Sequence, residues 1–336
     1  MSSIKFCTKK DIQDLQNFIK KNWSKDHILS VDNSILEFQH KDRDKYNFVI
    51  SRNQQNIING ILGFIPNYQF EKSNNKPKLL WLALWKVNEN LASPGLGLSL
   101  LNFLEFNIKP DVICVVGLNE NVKKIYEVLG YQTDKMNHFY FLNKSFNSFK
   151  IIKNPPKNLK CDSLEYNLKS MSYKKISIDH IDNDLFDFSK YKSKSYFYNR
   201  YVVHPIYNYM FFGIFNNKKL EVVFVVRKID ILNASCLRII DVVGDIKCKI
   251  DLSEVFNSIL EKYHCEYIDC LNIGIDEKYF EKLGFSLKDD KTIIPEYFEP
   301  FERKNVNMYV AYKPKITNFI IYKGDGDQDR PNKLNN

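Results

Sequence analysis

The spacing of apolar positions changes along the chain, and each change marks an element. Residues 10–22, KDIQDLQNFIKKN, set Ile12, Leu15, Phe18 and Ile19 on one helix face. A short strand at Ile4–Cys7 precedes that helix, and a second amphipathic piece covers Ser30–Gln39. β-Branched and aromatic runs predict strands at Asn47–Ser51, Ile57–Pro66 and Leu79–Val87, parted by the polar stretches Arg52–Asn56 and Glu71–Lys78. Helical spacing returns from Gly97 to about Asn107 and from Glu120 to Leu129, with strands at Val112–Gly117 and His138–Leu142. The order is β-α-α-β-β-β-α-β-α-β.

After a Lys-, Asn- and Pro-rich stretch, which reads as a linker over 146–171, the plan recurs. A strand at Lys175–Ile178 leads to a helical stretch around Asp182–Lys190. A hairpin pairs Tyr209–Phe215 with Val222–Arg227, and a strand at Cys236–Val243 precedes a helix at Leu252–Tyr263 with Asp251 as its cap. Strand Tyr267–Ile273 and helix Glu277–Leu283 close the unit at Leu283-Gly284-Phe285, which mirrors Leu129-Gly130-Tyr131. An internal repeat of about 150 residues is the simplest account. The predicted fold class is α/β (α+β), with two lobes, each a mixed, mostly antiparallel sheet flanked by helices. Their bounds are 1–145 and 172–322, followed by an acidic tail at 323–336.

Two motifs in the first lobe carry chemistry. The loop Ala92-Ser93-Pro94-Gly95-Leu96-Gly97 leaves a strand and opens a helix, where backbone N–H groups and the positive helix end can meet phosphate oxygens. Downstream, NENVKKIYEVLGY sets Asn119, Tyr126 and Gly130 along one strand-to-helix unit. Together these stretches, over roughly residues 1–145, resemble the acyl-CoA-binding core of the GNAT N-acyltransferases. The resemblance implies that Gly95, Leu96, Gly97 and Leu98 cradle the CoA pyrophosphate and that the strand around Val87, with Asn119, holds the pantetheine arm. It also implies that Tyr126 protonates the leaving thiolate. One position departs from the family: its loop begins with Gln or Arg, and here Ala92 stands there.

The second lobe differs in chemistry. Gly244-Asp245-Ile246-Lys247 follows its strand without a G-x-G, and the counterpart of Tyr126 is Phe280, which has no proton to give. The first lobe is therefore expected to hold the cofactor and the second to shape the acceptor site, through Arg200, His204 and Asp241 beside several tyrosines. Glu89, His204 and Asp241 are the candidate bases, and spacing does not choose among them.

Composition narrows the class. With 336 residues, 44% apolar content, 20 Tyr and 25 Phe, the chain can bury two cores and is not a disordered protein. Seven scattered cysteines without a C-x2-C pair fit reduced thiols and a cytoplasmic protein. The net charge of +9 is spread in lysine pairs, which suits phosphorylated small molecules and not nucleic acid. No apolar run is long enough for a membrane span or a secretory signal. The tail, with Asp at alternate positions from Asp325, has Arg330 where a calcium loop needs glycine, so no metal is expected. It reads either as a solvated terminus or as an acidic hairpin that docks on the basic linker or closes the acceptor site. The tail and the stretch 294–301 are similar to those of uncharacterised proteins of bacterial surface-polysaccharide clusters. The expected function is an acyl-CoA-dependent N-acyltransferase acting on an amino sugar, nucleotide-linked, in surface-glycan synthesis. The alternatives are a Fem-like aminoacyl transferase, which also pairs two GNAT lobes, and a non-catalytic GNAT-fold binding protein.

Overall fold

The computed structural model describes residues 3–71, 78–156, 171–189, 191–246, 251–315 and 319–332. The centre of the expected linker, the end of the tail, Cys161 and Cys248 lie outside these residues.

Two mixed eight-stranded sheets make up the two lobes. The first contains β1 (Ser3–Thr8), β2 (Lys41–Asp42), β3 (Lys45–Arg52), β4 (Ile58–Pro66), β5 (Leu79–Val87), β6 (Val112–Leu118) and β7 (Gln132–Lys135). The second contains β8 (Asn137–Leu142), β9 (Met171–Ile176), β10 (Tyr209–Asn216), β11 (Lys219–Ile231), β12 (Ala234–Gly244), β13 (Tyr267–Ile273) and β14 (Ser286–Leu287). Of the two remaining strands, β15 (Tyr309–Lys313) inserts between β6 and β7, and β16 (Ile321–Tyr322) pairs with β13.

The sheets therefore do not divide at residue 145. Strand β8 leaves the first half to pair with β13, and β15 returns from the far end of the chain to complete the first sheet. Hydrophobic pattern alone could not assign β8, because a run buried on both faces fits the centre of either sheet. The helix expected over 182–190 is a short run of tight turns at Asn183–Phe188.

Burial explains the near-continuous apolar strands. In β6, Val112, Cys114 and Val116 face a core shared with the second sheet, while Ile113 and Val115 face helices α4 (Leu96–Ile108) and α5 (Glu120–Val128). In β12, Ile240 and Val243 face the shared core, and Leu237, Ile239 and Val242 pack toward α6 (Ser253–Tyr263) and α7 (Glu277–Lys282). The sheets thus lie against each other with helices outside. Each strand residue meets apolar neighbours whichever way it points. The helices α1 (Ile12–Asn22), α2 (Ile28–Val31) and α3 (Asn33–His40) bury their apolar stripe in a further cluster with β3 and β4.

Candidate functional site

The site begins with a bulge. Strand β5 pairs in parallel with β6 only from Leu79–Val112 to Leu82–Val115, although both strands continue. At that point Ala83 and Leu84 together oppose a single residue of β4, Gly63. A bulge of this kind bends and twists its strand. Beyond it the two strands diverge and a cleft of about 870 Å³ opens between them.

The side of the cleft toward α4 and α5 contains most of the residues expected from the sequence to hold a donor. Val87, Gly97, Leu98, Asn119 and Tyr126 line it. Gly95 caps α4 with φ 81°, a left-handed turn that favours glycine, and no side chain bonds the cap. The first-turn amides of a helix lack intrahelical partners; that of Leu96 turns back to Ser93 O at 3.3 Å, which leaves those of Gly97 and Leu98 for an anion. Leu96 is different: its side chain is buried in the core and only its backbone belongs to the turn. Asn119 caps α5, its side chain accepting from the Val122 N–H at 3.0 Å. Tyr126 is buried, with Trp85 and Tyr131 edge-on at 6.0 and 5.1 Å. Burial raises its pKa, so the phenol keeps its proton at neutral pH.

The three residues expected to bind the acceptor do not line this cleft. Arg200 is buried over the Phe70 ring and donates to the carbonyls of Gly324 and Gly326 at 3.2 and 2.6 Å. His204 accepts at Nδ1 from the Ile206 and Tyr207 amides, and burial with the nearby Arg200 charge lowers its pKa to about 3. Asp241 is held by Lys192 at 2.8 Å and by the Tyr201 hydroxyl at 2.7 Å; burial pushes its pKa up against the pull of Lys192. It borders a second cavity of about 340 Å³ with Trp81, Phe319 and Asp325. These polar groups are spent inside the protein, on tail carbonyls, on backbone amides and on Lys192 and Tyr201.

The tail takes their place. Asp325 and Asp329 are fully buried, and every residue from 323 to 332 is buried or half-buried, which overturns the solvated-terminus reading for that stretch. Asp327, Gln328, Arg330 and Asn332 line the cleft, joined by Glu299 and by His27 and Trp23 from the loop after α1. Arg330 faces His27 at 3.2 Å, and burial together with that charge lowers the His27 pKa to about 3. Glu89, one of the candidate bases, lies exposed on the rim. The sequence signal for the tail was its alternating Gly and Asp, which needed long-range contacts to interpret.

The second lobe repeats the splay and fills it. Strands β12 and β13 pair in parallel from Leu237–Ile268 to Ile239–Cys270, and Ile240 bulges where they part. Into the gap runs the tail. The Lys323 N–H donates to Leu271 O and the Gly324 N–H to Ile240 O, both at 3.1 Å. A Cβ at Gly324 would lie 2.4 Å from Ile240 Cγ2 and 2.7 Å from the Tyr201 hydroxyl, so only glycine fits there. The chain's own backbone occupies the second gap.

No protein-family model matches the sequence, and no curated protein matches it. Solved structures do. A GCN5-related N-acetyltransferase from Anabaena variabilis superposes with a TM-score of 0.57 at 11% identity, over 92% of this chain and 72% of that one. A conserved protein of Enterococcus faecalis, described as a probable N-acyltransferase, gives 0.55 at 9% identity over the same shares. The GCN5-related glucosamine N-acetyltransferase region of a fungal multi-domain GH3 β-N-acetylglucosaminidase gives 0.54 at 11%, over 93% of this chain and 38% of that one. Likeness at these identities concerns architecture, and it shows that the chain has the fold of the GCN5-related N-acetyltransferases.

Proposed function

We propose that the protein is an acyl-CoA-dependent N-acyltransferase with one donor site per chain. The observation that carries this reading is the splay between β5 and β6, with the open Gly95 turn at the head of α4 and Tyr126 on the wall. Diphosphate oxygens would meet the first-turn amides of α4. The pantetheine arm would lie along the unpaired part of β5 near Val87, where strand amides can bond it. The Asn88 N–H is given to Asn59 O at 2.9 Å, and Lys86, opposite Ile61 in the same antiparallel ladder, faces β4 as well, so an oxyanion would be held by the amide of Val87, which faces the other way.

In the reaction the amine lone pair forms the C–N bond to the thioester carbonyl carbon. The C–S bond then breaks with its electron pair on sulfur. Tyr126 gives its phenolic proton to the thiolate and is restored by the proton the nitrogen loses. Since the tail fills the splay of the second lobe, that lobe serves as a scaffold, consistent with a duplicated unit that has kept one donor site.

An amino sugar is the acceptor class we favour. Polar groups and an exposed indole meet at the acceptor end of the cleft, and the fungal region of like fold is a glucosamine N-acetyltransferase. A second reading is a binding protein without turnover, favoured by Ala92 at the head of the loop. Calorimetry with acetyl-CoA tests the donor site: we expect one site per chain, abolished by Gly95→Val, which strains a left-handed turn. Two equal sites, or binding indifferent to that change, would overturn the assignment.

A further inference from the structure

Taking the acyl-transfer reading as its premise, we infer that Asp327 is the residue that receives the acceptor amine, and that the C-terminal segment is held rigid to present it. Both flanks of this residue are clamped. On one side Arg200 binds the carbonyls of Gly324 and Gly326, and the Gly324 amide is tied to Ile240. On the other, Asp329 takes a hydrogen bond from the Tyr209 hydroxyl at 2.7 Å and an ion pair from Arg227 at 2.8 Å. Between these clamps only Asp327 and Gln328 reach the cleft. The Gln328 amide lies so close to β6 that a Cβ at Gly117 would meet it at 2.3 Å.

Buried charge has been committed on either side of a two-residue span. Besides stacking on Phe70 and Tyr207, Arg200 and Arg227 direct their hydrogen bonds to this segment, and a segment needed only to fill space would be better served by apolar side chains. What they fix in place is a carboxylate.

Other carboxylates of the cleft are less suited. Glu299 accepts from the Tyr207 hydroxyl at 3.1 Å and from the Asn332 N–H at 3.0 Å, so its oxygens are engaged. Glu89 stands exposed on the rim, where water screens it. Asp327 accepts from Gln328 Nε2 at 3.1 Å, and its side chain is only 11% exposed. Arg330 comes no closer than 3.6 Å, because its guanidinium is turned to Asn332 Oδ1 at 3.0 Å and to His27. A carboxylate that is sheltered, fixed and not directly hydrogen-bonded by a cation is a receptor for an ammonium group.

The surroundings indicate what carries that ammonium. Gln328 offers an amide donor and acceptor for hydroxyls, and the half-exposed Trp23 indole offers a face to a ring. A primary ammonium on a small hydroxylated ring fits this set. One proton of the ammonium passes to the Asp327 carboxylate and on to water, which frees the lone pair for attack. Arg200 becomes a positioning residue that acts through the tail carbonyls.

Saturation-transfer NMR titrations on the full chain test this with glucosamine and glucose as probes, alongside acetyl-CoA calorimetry on the same samples. Expected are glucosamine binding well ahead of glucose, at least tenfold weaker binding in Asp327→Asn, and partial recovery in Asp327→Glu. Acetyl-CoA affinity should be equal in all three proteins, which also shows that the variants are folded. Glucosamine binding no better than glucose, unchanged binding in Asp327→Asn, or a loss confined to Glu89→Gln would overturn the assignment. Failure of acetyl-CoA to bind the unmodified chain would refute the donor site instead, and the amine titration would still decide on Asp327.

Discussion

Acid should unfold this protein well above the pH at which its carboxylates titrate. Three of its histidines, His27, His40 and His204, are buried as neutral rings, each lowered from 6.5 to about 3. Burial is the first cause in all three, and nearby arginine charge adds to it. In the unfolded chain these rings regain their ordinary pKa and bind protons that the folded state refuses. Their contribution is therefore present above about pH 6.5 and lost as pH falls toward 3. At pH 5 the difference is about 2 kcal/mol per ring, or about 6 kcal/mol for three, against a total of about 5–15 kcal/mol for an ordinary domain. Asp11, Asp269 and Asp329 are held below the usual carboxylate range by their cationic and hydrogen-bonding partners, so their losses come at lower pH. Asp241, raised by burial, works in the opposite sense. Urea unfolding followed by tryptophan fluorescence between pH 7 and 5 measures the effect. His204→Asn, which keeps an acceptor for the amides of Ile206 and Tyr207, should lower the proton uptake on unfolding by about one at pH 5. A stability that stays level over this range, or an uptake unchanged in that variant, would refute the reasoning.

Three further outcomes are expected. Tyr126→Phe should slow turnover by about 10²–10⁴-fold while acetyl-CoA affinity is kept; full activity would mean that water protonates the sulfur. Gly324→Ala should cost about 1–3 kcal/mol in chemical denaturation, because its methyl meets Ile240 and Tyr201; a neutral result would mean that the tail shifts freely in the second gap. Asp269→Ala should cost about 3–5 kcal/mol, since it strips the partner from a guanidinium that is 1% exposed. A loss under about 1 kcal/mol would show that the carbonyls of Pro295 and Glu296 suffice for Arg238.

Local pattern made most elements of both lobes legible. Helix α1 and strands β3 to β6 follow from periodicity and turn residues, and the turn that opens α4 follows from Gly95 and its neighbours. Pairing partners were not legible. β15 is five residues of Tyr309–Lys313 with ordinary strand character, and nothing near it in sequence tells that it lies between β6 and β7. The same holds for Arg200 and Asp241: residue type suggested ligand chemistry, while the structure spends both on buried contacts. Asp327 was hidden for the converse reason. Its role depends on clamps from residues about a hundred positions upstream, among them Arg227.

The exchange of β8 and β15 has a consequence for the order in which the chain can fold during synthesis. When β6 leaves the ribosome its neighbour β15 does not yet exist, so one edge of the first sheet stays open until residues 309–313 emerge. Through that interval Ile113 and Val115 can settle against α4, but the β6 edge remains an unpaired template for stray strands. Strand β8, made early, waits in turn for β13. Neither half can close by itself. A chain released before about residue 313 should be an aggregation substrate and not a smaller folded protein.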